Sequence, residues 1–219
     1  MPLGRRHDSQ SPNRGEIDEA KRLLRREMRD RRGALSEAQR REASEAAARA
    51  LVALPELGDV RGRAVAGYAA VRGELDPAPA LAALVGQGAR VHLPRVGAGA
   101  CELAFCPVAP GDVLRAGAFG IPEPAAVSDE VEARALDIVI VPGLAFDAGG
   151  GRVGSGGGYY DAALAGVPAT ERPMLIGVGY DFQIVDRCPV TDADVGVDVV
   201  VTETRVLRCG GGDAPKDGG

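Results

Sequence analysis

Histidine is nearly absent from this chain: only His7 and His92 occur. His7 lies in a polar leader, so a Ser-His-Asp triad or a histidine-rich metal centre would have to rest on His92 alone, and both classes are set aside. Tryptophan is missing altogether and aromatic residues make up 4% of the chain. That leaves too little material for an aromatic stripe on which bases could stack. Four cysteines (Cys101, Cys106, Cys188 and Cys209) form no Cys-x-x-Cys pair, which removes zinc knuckles and thioredoxin-type motifs. They read as free thiols in a reducing cytosol. No apolar run reaches the roughly 20 residues of a membrane span, and the leader MPLGRRHDSQSPNRG lacks the apolar stretch of a secretory signal. A soluble, cytoplasmic protein is expected.

Lysine is the other scarcity. Against 24 arginines there are two lysines, Lys21 and Lys216, so a lysine kept inside an ordered segment draws notice. Glycine is abundant at 31 of 219 residues and much of it clusters. The length suits one large domain or two small ones, with ample core and no need of disulfide staples.

Residues 1–15 and 209–219 are polar and patternless and read as disordered tails, leaving one domain over 16–208. From Glu16 to Arg32 the apolar residues Ile17, Ala20, Leu23, Leu24 and Met28 fall on one helical face. A second helix opens at Ser36, with Gln39 completing a capping box, and stops before Pro55. Residues 77–88 read as a third helix. AVAGYA (64–69), RVHLP (90–94), DIVIVP (137–142), MLIGVG (174–179) and VDVVVT (197–202) read as strands, with CELAFCPV (101–108) a weaker one suited to an antiparallel edge. Unbroken Val/Ile runs imply burial on both faces. The expected fold is therefore α/β: a single three-layer domain with a mainly parallel central sheet, preceded by an N-terminal helical hairpin.

In such sheets ligands bind beyond the carboxyl ends of the strands. Glu74, Arg95, the segment Pro142–Asp161, Tyr180 and Asp181 all fall there. The strongest local signal is GGGRVGSGGGYYDAALAG, Gly149 to Gly166, which runs into a short predicted helix at Tyr159–Leu164. Its glycines free the backbone for positive φ and close approach, and a helix start offers unpaired N–H groups: an arrangement suited to phosphates. The loop has no Lys, so it is not a Walker A motif. Gly149, Gly151 and Gly154 match G-x-G-x-x-G, which admits an NAD(P)-dependent oxidoreductase as an alternative, although so glycine-rich a stretch meets that pattern easily. Residues 1–50 hold 13 cations against nine acids, which admits a nucleic-acid-binding helix as a second alternative. Asp161 and Asp194 could hold a substrate-bound Mg²⁺. Lys21 and Arg25, four apart on the first helix, could face phosphates together or form part of a solvated face.

DIVIVPGLAFDAGGGRVGSGGGYYD resembles the signature of the 5-formyltetrahydrofolate cyclo-ligase (methenyltetrahydrofolate synthetase) family. KRLLR, GELD, VHLPR, FGIPEP and GYDFQIVDRCPVTDADVGVDVVVTE follow in family order, so the resemblance covers about residues 20–205. It implies ATP- and Mg²⁺-dependent closure of 5-formyltetrahydrofolate to 5,10-methenyltetrahydrofolate, with release of ADP and phosphate through a phosphorylated formyl group. Matched residue by residue, it implies ATP contacts at Lys21, Arg22, Leu23, Leu24 and Arg25, and along Arg152, Val153, Gly154, Ser155, Gly156, Gly157, Gly158, Tyr159 and Tyr160. It implies folate contacts at Ala69 and Glu74 and at Ser155 through Tyr159, and Mg²⁺ ligands at Asp161 and Asp194. No catalytic group beyond these binding groups is implied. Partners would be small molecules only, without nucleic acid or membrane, and the protein a monomer. Ser155 stands where the family loop more often has a larger residue, and Ala193 where a histidine often precedes the second metal-binding Asp.

Overall fold

The structure, a computed structural model, describes residues 13–210 except 98, 100, 110, 126–128 and 169. The expected tails at 1–12 and 211–219 lie outside the described residues. The helices are α1 (Arg14–Gly33), α2 (Glu37–Val52), α3 (Ala78–Gly86) and α4 (Tyr159–Leu164). The strands are β1 (Ala64–Ala66), β2 (Arg90–Val96), β3 (Leu103–Pro107), β4 (Arg115–Ala116), β5 (Pro122–Glu123), β6 (Ile138–Pro142), β7 (Ala145–Phe146), β8 (Arg152–Val153), β9 (Met174–Val178), β10 (Val199–Val201) and β11 (Val206–Arg208).

Seven strands form the main sheet in the order β11-β10-β9-β6-β1-β2-β3. The run β10-β9-β6-β1-β2 is parallel, and both edges are antiparallel. The β3 edge follows the sequence expectation; β11 was not anticipated. Alternation along the strands assigns the two faces. Val65, Ile138, Ile140, Ile176, Val178 and Val199 pack with α2 and α3 residues such as Leu51 and Leu84. Ala64, Ala66, Val139, Val141, Leu175 and Val200 pack with Phe105, Phe146 and Leu164 of α4. Each fully buried Val or Ile is worth about 1.5–3 kcal/mol, and this double layer explains why the strands read as unbroken apolar runs.

Both N-terminal helices begin with capping boxes, Asn13 with Glu16 and Ser36 with Gln39. The Asn13 cap starts α1 at Arg14, so residues 13–15 belong to the fold rather than to a leader. At the other end Cys209 packs against the second core and its amide donates to the Asp198 carbonyl, so the ordered chain runs past 208. Joined by residues 34–36, the two helices take different partners: α2 lies along α3, and α1 meets β7.

The buried face of α1 differs from the expected one. Lys21, Met28 and Arg32 are buried and Leu24 and Arg25 half-buried, whereas Ala20 and Leu23 face solvent. These positions still follow helical spacing. The helix is rotated to point cations inward because acceptors distant in sequence meet them there. β1 is also shorter than AVAGYA. After Ala66 the chain leaves the sheet so that Tyr68 turns inward, its hydroxyl donating to the Leu75 carbonyl at 2.6 Å. Among the described residues no helix is long and apolar enough to cross a membrane.

Candidate active site

β1 is followed in the chain by β2 on one side of it, while β6 pairs on its other side. A crevice at the carboxyl ends of two such strands is where open α/β sheets bind ligands. A cavity of about 300 Å³ opens there, lined by Tyr68 and Ala69 after β1, by Pro142 at the end of β6 and by Gly143 and Leu144 after it. α1 contributes Lys21, Arg25, Arg29 and Arg32, and residues 152–161 supply the facing wall.

The lining cations span 11 positions of α1, about 16 Å along the axis at 1.5 Å per residue. At one end Lys21 Nζ lies 2.8 and 2.6 Å from the two oxygens of Asp194. Asp194 Oδ2 also accepts from the Thr191 amide (2.7 Å) and hydroxyl (2.8 Å). Burial works against the charged carboxyl, but these bonds outweigh it and hold Asp194 below the usual carboxylate range. Nearby, Arg152 Nη2 donates to Asp161 Oδ1 at 2.7 Å, and the amide of Val195, the residue after Asp194, reaches the same oxygen at 3.0 Å.

In the middle, Arg25 Nε donates to the Gly154 carbonyl (2.9 Å) and Arg29 Nη2 to the Ser155 carbonyl (3.0 Å), holding the glycine loop against α1. Gly156 has φ 111, a region open in practice only to glycine. A Cβ on Gly157 would stand 2.8 Å from Tyr159 ring carbons. The loop ends at Gly158, which caps α4.

At the far end, Glu74 sits in the turn after β1. Its Oε2 accepts from the Val71 amide at 3.1 Å, and Oε1 lies 3.6 Å from Arg32 Nη1. Burial raises the Glu74 carboxyl above its ordinary value, opposed by the Val71 amide and by Arg32. Phe119 closes this side, 65% exposed, with its ring 6.0 Å from that of Tyr159 in an edge-on arrangement. Three non-glycine residues adopt positive φ among those described: Arg72 (51°), Cys101 (57°) and Phe119 (56°). Two of them line the cavity and the third touches its glycine loop. Arg72 and Phe119 are the two, joined by a 3.1 Å bond from Arg72 Nη2 to the Phe119 carbonyl, and Cys101 Sγ reaches the Gly157 carbonyl. Strained backbone of this kind is typical of ligand sites.

Of the residues expected from sequence, Lys21, Arg25, Ala69, Glu74, Arg152 to Tyr160, Asp161 and Asp194 all line this one cavity. Arg22, Leu23 and Leu24 do not. Arg22 pairs with Glu19 on the surface, Leu23 is exposed, and Leu24 packs behind the site with Met28. Arg95 is bound to Glu130, and Asp181 to Arg205, so both serve the scaffold. Tyr180 is buried in the first core. Arg29, Arg32, Arg72 and Phe119 had not been singled out. The first two were legible in principle as positions i+8 and i+11 from Lys21.

The Gly149-x-Gly151-x-x-Gly154 spacing proves to be a hairpin turn. Asp147 Oδ1 accepts from the Gly149 and Gly151 amides, Oδ2 from that of Cys188, and β8 rather than a helix follows. The geometry of a dinucleotide fingerprint is not met. The donor set does fit a hard divalent cation. Asp161 and Asp194 line the same cavity, and the hydrogen bonds reaching Asp161 among the described residues, one of them from the amide next to Asp194, all fall on Oδ1. No three His, Cys, Asp or Glu side chains gather into a metal cage among the described residues. Protein would therefore supply one or two ligands, and phosphate oxygens and water the rest.

The model of the 5-formyltetrahydrofolate cyclo-ligase family matches residues 17–203. The chain belongs to that family. Similar proteins named 5-formyltetrahydrofolate cyclo-ligase include that of Escherichia coli K12, 34% identical over 181 residues, covering 82% of this chain and 98% of that protein. The Mycolicibacterium smegmatis protein is 34% identical over 152 residues, covering 67% of this chain and 76% of that one. The solved structure of Aquifex aeolicus 5,10-methenyltetrahydrofolate synthetase superposes with a TM-score of 0.73 at 36% identity, covering 88% of this chain and 94% of that one. The Mycoplasma pneumoniae synthetase, at 22% identity and TM-score 0.64 over 84% of this chain and 98% of that one, shares the fold. This is a family of ligases, and the loop residues 152–161 that line the cavity fall within the matched span.

Proposed function

We propose that the protein closes 5-formyltetrahydrofolate to 5,10-methenyltetrahydrofolate at the expense of ATP, with Mg²⁺ bound to the nucleotide. The observation that carries this reading is the single cavity: Lys21, Arg25, the glycine loop, Asp161 and Asp194 toward one end, Glu74 and Phe119 toward the other. A nucleotide triphosphate and a folate need to meet at one reacting atom, and a trough about 16 Å long, cationic along one wall, allows that.

The chemistry needs positioning more than a protein base. The formyl oxygen attacks the γ-phosphorus and the bond to ADP breaks, leaving an iminium phosphate at N5. N10 then bonds to the formyl carbon, phosphate departs with the former formyl oxygen, and the N10 proton passes to solvent. Lys21 and Arg25 offset phosphate charge. A lysine ammonium has three donors, and Lys21 keeps one beyond the pair directed at Asp194. Asp161 and Asp194 would hold Mg²⁺, which when bound offsets the charge on the transferring phosphoryl group. The loop held by Arg25 and Arg29 excludes water, and Glu74 accepts from the donor edge of the pterin. No histidine is required, in keeping with the composition.

The test is an absorbance assay with purified protein, 5-formyltetrahydrofolate and Mg²⁺, started with ATP. Growth of the methenyl chromophore that EDTA stops is expected. Absence of growth with folded, ATP-binding protein would assign the cavity to another substrate.

A further inference from the structure

Three buried side-chain polar atoms lack a hydrogen-bond partner among the described residues: Arg32 Nε, Arg40 Nε and the Tyr180 hydroxyl. They belong to one neighbourhood, since Arg40 Nη2 donates to the Arg32 carbonyl at 3.3 Å and both guanidinium charges act on Tyr180. Burying a guanidinium without full pairing is costly, so a buried arginine in this state invites a functional explanation. Arg32 is the one of the two that lines the cavity, and it is 4% exposed.

We infer that Arg32 is a positioning residue that fixes the Glu74 carboxylate as an acceptor for the folate. Arg32 Nη2 is pinned to the Arg72 carbonyl at 3.2 Å, which aims Nη1 at Glu74 Oε1, 3.6 Å away. Glu74 Oε2 is held by the Val71 amide. The carboxyl is thus gripped from both oxygens, by backbone on one and by charge on the other. A reduced pterin offers its 2-amino group and N3–H as two parallel donors. Only an ionised carboxylate can accept both, because a protonated one turns one oxygen into a donor.

Burial favours the neutral acid, so something must oppose it. The groups facing Glu74 are Arg32 from α1, Arg72 from its own turn, Tyr68 and Tyr160. Both tyrosines are raised by burial and stay neutral. Arg72 is exposed and bonded to Phe119, where water screens its charge. Arg32 is the buried charge.

This inference rests on the proposed folate reading, and its test separates the two. Binding of 5-formyltetrahydrofolate without ATP would be measured against pH for wild type, Arg32→Met, Arg32→Lys, Glu74→Gln and the Arg32→Met/Glu74→Gln double variant. Arg32→Met should weaken folate binding about 10-fold at pH 7, move its acid limb to higher pH and leave the ATP KM unchanged. Arg32→Lys should keep the acid limb where wild type has it, and the double variant should bind no worse than Glu74→Gln. Equal loss of ATP and folate affinity in Arg32→Met, additivity in the double variant, or a displaced acid limb in Arg32→Lys would overturn the role. If Arg32→Met does not fold, Arg32→Lys decides alone. Carboxyl ¹³C titration of Glu74 without ligand distinguishes the failures: a Glu74 that titrates higher in Arg32→Met upholds the coupling even if wild type binds no folate, and an unmoved Glu74 refutes it.

Discussion

The two ends of the cavity treat charge in opposite ways. Near Asp194 the pairs are closed: Lys21 to Asp194 at 2.6 Å and Arg152 to Asp161 at 2.7 Å, with backbone amides completing the carboxylates. Near Glu74 the pair is open, at 3.6 Å, and the Nε of Arg32 has no hydrogen-bond partner among the described residues. A closed pair can exchange partners when a charged ligand arrives, because each ion has been kept ready and neutralised in the interim. An open buried pair is a fixed field that acts on whatever enters. The first suits a polyanion with its metal, and the second suits a neutral ring with directed donors.

Substitutions can break that contrast. Asp161→Asn should have the largest effect, lowering turnover about 10²-fold or more with the melting temperature little changed, since the side chain is only half-buried. Near-normal turnover at limiting Mg²⁺ would remove Asp161 from the metal. Lys21→Ala should raise the ATP KM about 10-fold, the scale of one charge-assisted hydrogen bond, and leave the folate KM alone; an unchanged ATP KM would make the Asp194 pair purely structural. Phe119→Ala should raise the folate KM several-fold, consistent with about 0.5–1.5 kcal/mol for an aromatic contact, without touching ATP. A parallel rise in both constants would erase the division into two ends.

The smallest effect is expected outside the cavity. Arg205, with the hydroxyls of Thr204 and Thr202, outweighs the cost of burial and holds Asp181 at about 2. Its folded-state value is depressed, so the stability it adds is present above the unfolded carboxylate range and fades as pH falls toward about 2. Asp181→Asn should cost about 1 kcal/mol or less at pH 7, a difference that disappears in denaturation curves taken at the acid end of that window. Activity should be unaffected.

Much of this arrangement was legible in the residues and some was not. The α4 boundaries, the antiparallel β3 edge and the glycine loop followed from punctuation and periodicity, which are local signals. The face of α1 did not. Apolar spacing pointed Leu23 inward, but the decisive acceptors are Asp194 and the carbonyls of Gly154 and Ser155, more than a hundred residues away. β11 was missed because three residues after a tight turn at 203–205 carry too little pattern. Asp147 is the buried post of a hairpin, a role visible only once Gly149, Gly151 and Cys188 come together around it. Phe119 in a left-handed conformation has no sequence signal at all.

In the proposed reaction the formyl oxygen takes the phosphoryl group within this cavity. Substrate labelled with ¹⁸O in the formyl group, converted with unlabelled ATP in ordinary water, tests it directly. One ¹⁸O is expected in each inorganic phosphate released. Unlabelled phosphate alongside full conversion would contradict it, because the oxygen would then have left the folate by another route.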